Sequence, residues 1–256
     1  MAESNRGVRL DLAVARLGLV ESRSQAESYI RLGRVTVNNR IVTKPGFFVR
    51  DLSQIKLNQD EQFVSRAGLK LKSVAKKLGL DFTGKVVLDV GSSTGGFTDF
   101  ALSRGASRSI CVDVGTDQLH PRLRQDSRVE LHEKTDIRDF ITNEPIDIVV
   151  IDVSFISLRT ILPHIASLVG PDTQVVAMVK PQFEAGARLK NSGVIKNDRE
   201  RRKILADFEQ WVKRYYVIQD KADSAVAGSH GNRERFYLLN KLCNQGRNIA
   251  LRLRLW

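Results

Sequence analysis

The sequence predicts an α/β protein built on a mostly parallel sheet, preceded by a smaller α+β domain, within 256 residues. Apolar runs at Val86–Leu88, Ile110–Val112 and Ile146–Ile151 are continuous rather than alternating, as is typical of strands covered on both faces by crossover helices. A glycine-rich turn follows the first run, and acidic residues accompany successive strands. The first sixty or so residues contain shorter elements, which indicates a separate unit.

Composition narrows the class of protein. The chain has 41 Lys and Arg against 29 Asp and Glu, a formal charge of +12, which indicates a polyanionic partner. Cys111 and Cys243 match no metal-ligand spacing, so we expect no metal site and no disulfide framework. The sequence contains neither a signal-peptide core nor a run of about 18 apolar residues. We therefore expect a cytoplasmic protein that does not enter a membrane.

Residues 1–60 are expected to form the first domain, with two short helices and a hairpin. The first helix is indicated by apolar residues at helical spacing, namely Leu10, Ala13, Val14 and Leu17. Ser24 and Glu27 form a capping-box pattern at the start of the second helix. Asn38 and Asn39 lie between two β-branched segments and predict a hairpin turn, because asparagine tolerates positive φ.

This unit resembles the S4 RNA-binding domain over about residues 8–57. The resemblance rests on Arg9-Leu10-Asp11, Ser22-Arg23 with Ala26, Gly33-Arg34-Val35 and Val37-Asn38-Asn39. It implies that basic side chains contact RNA phosphates and position the RNA rather than read its sequence. The side chains concerned are Arg9, Arg23, Arg31, Arg34 and Lys44. The alternative is that each belongs to an ordinary solvated surface.

The polar run after Leu57 lacks periodicity and predicts a domain boundary. We expect a linker at 61–64, a second domain at 65–245 and a basic C-terminal tail at 246–256. Ser65 is predicted to cap the first helix of the second domain, and Asn197 is predicted to cap a later one. Four basic residues of the later helix either extend a basic track or form a solvated face, namely Arg199, Arg201, Arg202 and Lys203.

The glycine-rich turn is the candidate ligand loop. It follows the first strand and opens a helix, and its glycines allow a sharp bend and close approach to a ligand. Its spacing matches neither a dinucleotide fingerprint nor a P-loop. Asp113 ends the next strand, where a carboxylate can accept hydrogen bonds from both hydroxyls of a ribose.

Four successive strands bring a carboxylate to one sheet edge, an arrangement typical of methyltransferases that use S-adenosylmethionine. In that interpretation Asp113 holds the ribose, Asp136 and Ile137 frame the adenine, and the loop receives the amino-acid portion. The expected cofactor residues are Asp89, Gly91, Ser92, Ser93, Thr94, Gly95, Gly96, Phe97, Asp113, Asp136, Ile137 and Asp152. Alternatively, Asp113 and Asp136 are helix caps or turn residues.

Five ordered motifs make the second domain resemble the FtsJ-like ribose 2′-O-methyltransferases. They are VSRAGLKL at 64–71, STGGFTD at 93–99, DVSFIS at 152–157, VKPQFE at 179–184 and GNRE at 231–234. From about residue 8 to 242 the chain resembles the TlyA family, which joins such a domain to an S4 module. One departure is Ala67-Gly68, where many relatives have Gly-Ala.

The resemblance implies a catalytic tetrad at Lys70, Asp152, Lys180 and Glu234. A ribose hydroxyl is a poor nucleophile, so it must be positioned and must lose its proton as the new bond forms. Lys180 follows a buried strand, and burial beside a cationic cofactor favours a neutral amine. We therefore expect Lys180 to be the general base, with Lys70 holding the phosphate or ribose of the target nucleotide. Asp152 and Glu234 are expected to orient the Lys180 amine and to offset the charge of Lys70. Lys70 could instead be the base, and either lysine could simply face solvent.

Two nearby residues are kept apart from the tetrad. Glu184 follows the fifth strand, where a loop or substrate contact is expected. His230 lies in the glycine-containing segment 224–235, which is expected to close over substrate. A lone histidine is more often a hydrogen-bonded loop residue, so His230 is left out of the predicted site.

The resemblance implies an S-adenosylmethionine-dependent methyltransferase that modifies cytidine ribose in small-subunit or large-subunit rRNA, or in both. The expected partners are rRNA or ribosomal subunits, with no membrane and no obligatory protein partner. One alternative is a non-catalytic ribosome-assembly factor, against which the complete tetrad argues. Another is a membrane-damaging haemolysin, a label that this family sometimes carries. That alternative requires a secretion signal or an amphipathic surface helix, and neither is evident in the sequence.

Overall fold

The computed structural model describes residues 7–20, 22–31, 33–58, 63–185, 194–195, 197–226, 228 and 231–242. His230, Cys243, the tail at 246–256 and the first two residues of the expected linker lie outside the described residues.

The N-terminal domain packs two helices against two small antiparallel sheets. Its elements are β1 (Val8–Arg9), α1 (Leu10–Arg16), α2 (Arg23–Arg31), β2 (Val35–Val37), β3 (Arg40–Ile41), β4 (Phe48–Val49), a 3-10 turn (Leu52–Gln54) and β5 (Ile55–Leu57). β1 pairs with β4, and β2 lies between β3 and β5. The expected hairpin is confirmed, with Asn38 and Asn39 at φ values of 52° and 60°.

The predicted capping residue of α2 was wrong. The hydroxyl of Ser22 accepts a hydrogen bond from the backbone N–H of Gln25 at 3.2 Å, so the helix starts at Arg23 rather than after Ser24. Ser24 lies inside the first turn, where its carbonyl accepts a bond from Ser28. The sequence could not distinguish the two serines because both offer the same hydroxyl group. The path of the preceding chain determines which hydroxyl reaches the free N–H groups of the first turn.

The second domain contains a seven-stranded sheet in the order β11-β12-β10-β9-β6-β7-β8. The strands are β6 (Val86–Val90), β7 (Arg108–Val112), β8 (Val129–His132), β9 (Ile148–Ile151), β10 (Gln174–Val179), β11 (Tyr216–Asp223) and β12 (Arg235–Lys241). β6 to β10 run parallel, whereas β12 is antiparallel to both β10 and β11. The predicted α/β class with a mostly parallel sheet is confirmed.

Helices cover both faces of this sheet. They are α3 (Arg66–Ala75), α4 (Gly96–Ser103), α5 (Pro121–Arg124), α6 (Leu158–Leu168), α7 (Pro181–Glu184) and α8 (Asp198–Val212). Ile148 and Val150 face the core layer that includes α3 and α4, whereas Val149 and Ile151 face the layer that includes α6 and α8. The continuous apolar run of this strand therefore reflects burial on both sides.

Two helix caps predicted in this domain are confirmed. The hydroxyl of Ser65 accepts a hydrogen bond from the N–H of Ala67 at the start of α3. The side chain of Asn197 accepts bonds from the N–H groups of Arg199 and Glu200 at the start of α8. Both caps were readable from local sequence because they satisfy N–H groups within three residues.

The described part of the expected linker is packed between the domains. The ring of Phe63 meets that of Phe100 edge-on, with centroids 5.6 Å apart. Gln25 Nε2 of α2 donates to the carbonyl of Phe63 at 2.7 Å, and the N–H of Val64 donates to Asp99 Oδ2 at 2.8 Å. Phe63 and Val64 therefore fasten the N-terminal domain to α4.

Two glycines allow α3 to approach the start of α4 closely. A Cβ added to Gly68 would lie 2.9 Å from the carbonyl oxygen of Gly96, and one added to Gly96 would lie 2.8 Å from the nitrogen of Gly68. Real Cβ atoms essentially never approach so closely. The order Ala67-Gly68 in this chain thus places the smaller residue at the contact.

Candidate active site

The ligand loop connects β6 to α4 and is anchored by a buried carboxylate. Asp89 Oδ2 accepts hydrogen bonds from the N–H and the hydroxyl of Thr98 at 3.0 and 2.7 Å. Burial raises the pKa of Asp89 to about 7. At Gly91 the chain adopts a φ of +77°, and an added Cβ would lie 3.1 Å from the carbonyl oxygen of Asp152. A side chain at this position would be strained and would crowd β9.

Two adjoining clefts open at the carboxyl edge of the sheet. The larger has a volume of about 430 Å³, and Asp113, Asp136 and Ile137 are among its lining residues. The smaller has a volume of about 150 Å³ and is lined by Asp89, Lys180 and the loop residues other than Gly95 and Gly96. Gly91, Ser93, Asp152 and Ser154 line both clefts, so the two form one elongated site.

The larger cleft has its acidic side chains fixed in place. Asp113 accepts hydrogen bonds from the N–H groups of Ser93 and Gly115 at 2.8 and 2.7 Å, and each oxygen keeps a further lone pair for a ligand. Asp136 meets Arg138 Nη2 at 2.6 Å, and this hydrogen bond is the main cause that lowers the pKa of Asp136 to about 2. Both groups can therefore accept hydrogen bonds from a nucleoside.

The smaller cleft contains polar atoms that no group of the described residues satisfies. Among those residues, Asp89 Oδ1 and Ser92 Oγ are buried and have no hydrogen-bond partner. Unpartnered buried polar atoms are costly, and native proteins usually pair them. A ligand with hydrogen-bond donors would complete both atoms. The remaining loop residues shape the cleft: Thr94 and Phe97 line it, and Gly95 precedes α4 with a φ of +93°.

The four expected catalytic side chains come together as two lysine–carboxylate pairs. Lys180 Nζ lies 2.6 Å from Asp152 Oδ1 and donates to Ser154 Oγ at 2.7 Å. Lys70 Nζ lies 2.6 Å from Glu234 Oε2. Lys70, Lys180 and Glu234 are buried. Burial raises the pKa of Glu234 and Lys70 opposes that rise, while Asp152 and Lys180 also act on it. The two pairs therefore share one electrostatic environment.

Sheet topology explains why residues so far apart in sequence meet here. Asp152 directly follows β9 and Lys180 directly follows β10, and these strands are parallel neighbours. Glu234 directly precedes β12, which runs antiparallel to β10 with Val179 opposite Arg235. An antiparallel neighbour begins where its partner ends, so Glu234 arrives at the same edge. Lys70 reaches it from α3.

An exposed aromatic residue at this edge was not among the predicted site residues. Phe155 is 92% exposed, lines the larger cleft and has a φ of +66°. Its ring centroid lies 5.4 Å from that of Phe183, and Lys180 Nζ lies 6.0 Å from the Phe183 ring. A bulky residue with positive φ is a strained outlier of a kind that clusters at functional sites. The DVSFIS motif contains Phe155, but periodicity alone gave it no role.

Of two expectations for charged residues, one is confirmed and one was wrong. Glu184 makes a loop contact, because its oxygens accept hydrogen bonds from the hydroxyl of Ser157, which ends the DVSFIS segment, and from the N–H of Leu158, both at 2.7 Å. It therefore anchors the start of α6. Arg201 belongs to no solvated face, because it is buried and paired with Asp223 at 2.8 Å. The other three basic residues of this helix segment are exposed.

The basic residues of the N-terminal domain are arranged in two ways. Asp11 is fully buried and receives Arg9 Nη2 at 3.0 Å and Arg23 Nε at 2.8 Å. Burial alone would raise the pKa of Asp11, but hydrogen bonds from these arginines lower it to about 2. Arg31 and Lys44 are exposed, and Arg34 is half-buried. Contact between these five side chains and RNA stays a prediction.

Comparisons with known proteins agree with this architecture. Residues 63–241 match the FtsJ-like methyltransferase family, and residues 8–54 match the S4 domain. The 16S/23S rRNA (cytidine-2′-O)-methyltransferase TlyA of Mycobacterium tuberculosis is 36% identical over 91% of this chain and 90% of its own. Hemolysin A of Brachyspira hyodysenteriae is 36% identical over 89% of this chain and 97% of its own.

A solved structure of a Streptococcus thermophilus protein superposes with a TM-score of 0.69 at 36% identity, covering 93% of this chain and 90% of the other. The similarity to these proteins thus extends across both domains. With an S4 domain joined to a catalytic sheet of this kind, the chain belongs to the FtsJ-like methyltransferases and, among them, to the TlyA family.

Proposed function

We propose that this protein transfers a methyl group from S-adenosylmethionine to a ribose 2′-hydroxyl of ribosomal RNA, with cytidine as the target nucleoside. The observation that carries the proposal is the meeting of two lysine–carboxylate pairs, in which Lys70, Lys180 and Glu234 are buried, with an elongated cleft at one sheet edge. The activity for which the Mycobacterium tuberculosis relative is named supports the choice of rRNA and cytidine.

The residues present fit the proposed cofactor. Asp113 would hold the ribose hydroxyls, while Asp136 and Ile137 would border the adenine in the larger cleft. Asp89 and Ser92 would meet the charged amino-acid portion, because both carry buried polar atoms without a partner. When bound, S-adenosylmethionine supplies a methyl group activated by a sulfonium centre.

Lys180 is arranged to take the proton of the acceptor hydroxyl. A neutral amine has two N–H bonds and one lone pair. Lys180 Nζ donates a hydrogen bond to Ser154 Oγ at 2.7 Å and lies 2.6 Å from Asp152 Oδ1. These two contacts orient the amine, and in the neutral form its lone pair would accept the proton of a substrate hydroxyl. General-base assistance of this kind contributes about 10² to 10⁴-fold.

Lys70 and Glu234 complete the acceptor side. Lys70 is held by Glu234 and can use its remaining N–H groups to hold the ribose or phosphate of the target nucleotide. Phe155 presents an exposed ring beside the larger cleft, and an unstacked RNA base can pack against such a ring. These residues would orient the nucleotide while Lys180 receives the proton.

The N-terminal domain would position the RNA. Its exposed Arg31 and Lys44, together with Arg34 and the two arginines on Asp11, suit phosphate contacts that orient a folded RNA without reading bases. rRNA or a ribosomal subunit is therefore the proposed partner. A bacterial cytoplasm is the proposed location because ribosomes assemble there.

The decisive experiment is mass-spectrometric mapping of ribose methylation in rRNA from cells with and without the gene. We expect at least one 2′-O-methylcytidine to disappear and to return when the purified protein acts on the unmodified subunits with labelled cofactor. If the two maps are identical and no label is transferred, the proposed reaction is wrong. Absence of cofactor binding by calorimetry, even with RNA present, would instead support a non-catalytic assembly factor.

The name of the Brachyspira relative raises membrane damage as an alternative. Within the described residues, no helix has the length and apolarity to cross a bilayer. A membrane-damaging activity also gives no role to the buried tetrad. Leakage of liposomes caused by purified, RNA-free protein would contradict our choice.

A further inference from the structure

A buried arginine lies behind the acidic residue that pairs with Lys70. Arg201 is only 6% exposed, although it lies on α8 beside the exposed Arg202. Burying a guanidinium is costly unless its donors are matched by acceptors. The hydrogen-bond acceptors of the Arg201 guanidinium therefore indicate its structural role.

Arg201 binds the chain on the N-terminal side of Glu234. Its Nε donates to the backbone carbonyl of Arg233 at 3.0 Å, and its Nη2 donates to Asp223 Oδ1 at 2.8 Å. The N–H of Ser224 donates to the carbonyl of Glu234 at 3.0 Å. The peptide that precedes Glu234 is thus held from α8, and the one that follows it is held from the end of β11.

The residue on the C-terminal side of Glu234 also binds Asp223. Arg235 Nε donates to Asp223 Oδ1 at 2.6 Å, and Asp223 and Arg235 are cross-strand partners between β11 and β12. Burial alone would raise the pKa of Asp223, but hydrogen bonds from Arg235 and Arg201 lower it to about 2. Arg201, Asp223 and Arg235 therefore stay charged at neutral pH and hold the residues on both sides of Glu234.

We infer that Arg201 is a positioning residue that, with Asp223, places the Glu234 carboxylate against Lys70. This inference rests on the proposed function. Arg201 lines neither cleft of the active site, so it acts through Glu234 and not on the substrate. Removing its side chain would leave the Arg233 carbonyl without its buried donor and Asp223 with one guanidinium fewer.

The expected effect is on turnover rather than on binding. A misplacement of about 1 Å can cost about 10²-fold in rate, so we expect Arg201→Met to lower kcat by about 10 to 100-fold. The KM for the cofactor should stay within about twofold, because Arg201 lines neither cleft, so the loss should appear mainly in kcat. Arg202→Met is the matched control on the same helix and should leave kcat unchanged.

A double-mutant cycle separates positioning from a general loss of structure. Glu234→Gln should lower kcat, and adding Arg201→Met to that variant should change kcat by no more than about twofold, because residues that act through one another are not additive. If the two losses multiply, Arg201 does not act through Glu234 and the inference is wrong. An unchanged kcat in Arg201→Met, with an active wild type, overturns it equally.

Asp223→Asn provides a second variant in case Arg201→Met does not fold. It keeps the side-chain shape and the bond from Arg201 to the Arg233 carbonyl, so we expect a smaller loss of kcat, about threefold, with the same non-additivity toward Glu234→Gln. Wild-type kinetics distinguish the two levels of failure. No transfer by the wild type contradicts the proposed function and this inference together, whereas normal wild-type transfer with additive losses contradicts only the inference.

Discussion

The two domains carry positive charge in different ways. Residues 1–57 contain ten Lys and Arg against five Asp and Glu, a formal +5, which leaves +7 for the longer remainder. In the second domain many surface arginines lie against a carboxylate, as in Arg124–Glu133, Arg128–Asp126 and Arg138–Asp136. In the first domain Arg31 and Lys44 are exposed, and Arg9 and Arg23 both form ion pairs with Asp11.

This difference teaches that net charge does not locate a binding surface by itself. A paired surface arginine has part of its field cancelled by its partner, whereas an unpaired one can still neutralise a phosphate. The most consequential positive charges of the second domain are the buried Lys70 and Lys180, which a count cannot distinguish from surface lysines. Under the proposed function, RNA positioning falls mainly to the first domain and chemistry to the second.

The largest expected effect tests whether the second domain performs the chemistry. Lys180→Met should lower methyl transfer by about 10³-fold or more, because the general base is removed, while the Kd for RNA changes by no more than about twofold. Single-turnover assays with labelled cofactor and filter binding of RNA measure the two quantities. The control is Lys213→Met, which replaces an exposed lysine at the end of α8. Full activity of Lys180→Met would contradict the proposed role of Lys180 as the general base.

A smaller effect is expected in the cofactor cleft. Asp113→Ala should raise the Kd for S-adenosylmethionine by about 10 to 100-fold, which corresponds to loss of about 1.5–3 kcal/mol of charged hydrogen bonding. Calorimetry measures it directly. Asp139→Ala replaces an exposed acid in the turn that contains Asp136 and should leave Kd unchanged. An unchanged Kd in Asp113→Ala would favour the alternative of a simple turn residue.

The affinity for the cofactor should also depend on pH. A cationic ligand prefers the ionised form of Asp89, whose pKa is raised to about 7 by burial. The carboxylate is mostly ionised at about pH 8 and mostly protonated at about pH 6, so Kd should rise about tenfold as the pH falls across this range. Asp89→Asn should remove most of this dependence. A Kd that rises with increasing pH would contradict the assignment.

The smallest effect belongs to the RNA surface. Lys44→Ala should weaken RNA binding uniformly across sequences and reduce the slope of log K against log salt by about 1, as expected for loss of one phosphate contact. The kcat at saturating RNA should not change. A salt titration of RNA affinity with the full chain measures the slope. If the slope is unchanged, Lys44 is an ordinary surface residue, and the proposed role of the first domain must rest on its arginines.

Much of the fold could be predicted because its signals are local. The caps at Ser65 and Asn197, the turn at Asn38 and Asn39 and the glycine loop each act within a few residues. β11 was not predicted because its sequence is largely polar and exposed. The choice between Ser22 and Ser24 failed because the two positions offer the same chemistry.

The site was predictable to the extent that a motif carried it. Motif resemblance proposed Lys70, Asp152, Lys180 and Glu234, which the structure brings into two pairs. The burial of Arg201 was missed and the partner of Glu184 could not be named, because their partners lie 22 and 26 residues away. Only tertiary packing reveals whether an arginine meets solvent or a carboxylate. Strain at Phe155 likewise has no signature in composition or periodicity.

The packed junction at Phe63 and Val64 bears on how such proteins can be recombined. Because the N–H of Val64 donates to Asp99 and the backbone of Gly68 lies close to that of Gly96, the junction, α3 and the start of α4 pack as one unit. A chimera that joins a foreign S4 module to this catalytic domain would have to retain the native chain from Phe63 through Gly68, together with Gln25 or an equivalent donor. The two domains have separate folds, but the contacts at their junction are specific, so one domain cannot be exchanged without them.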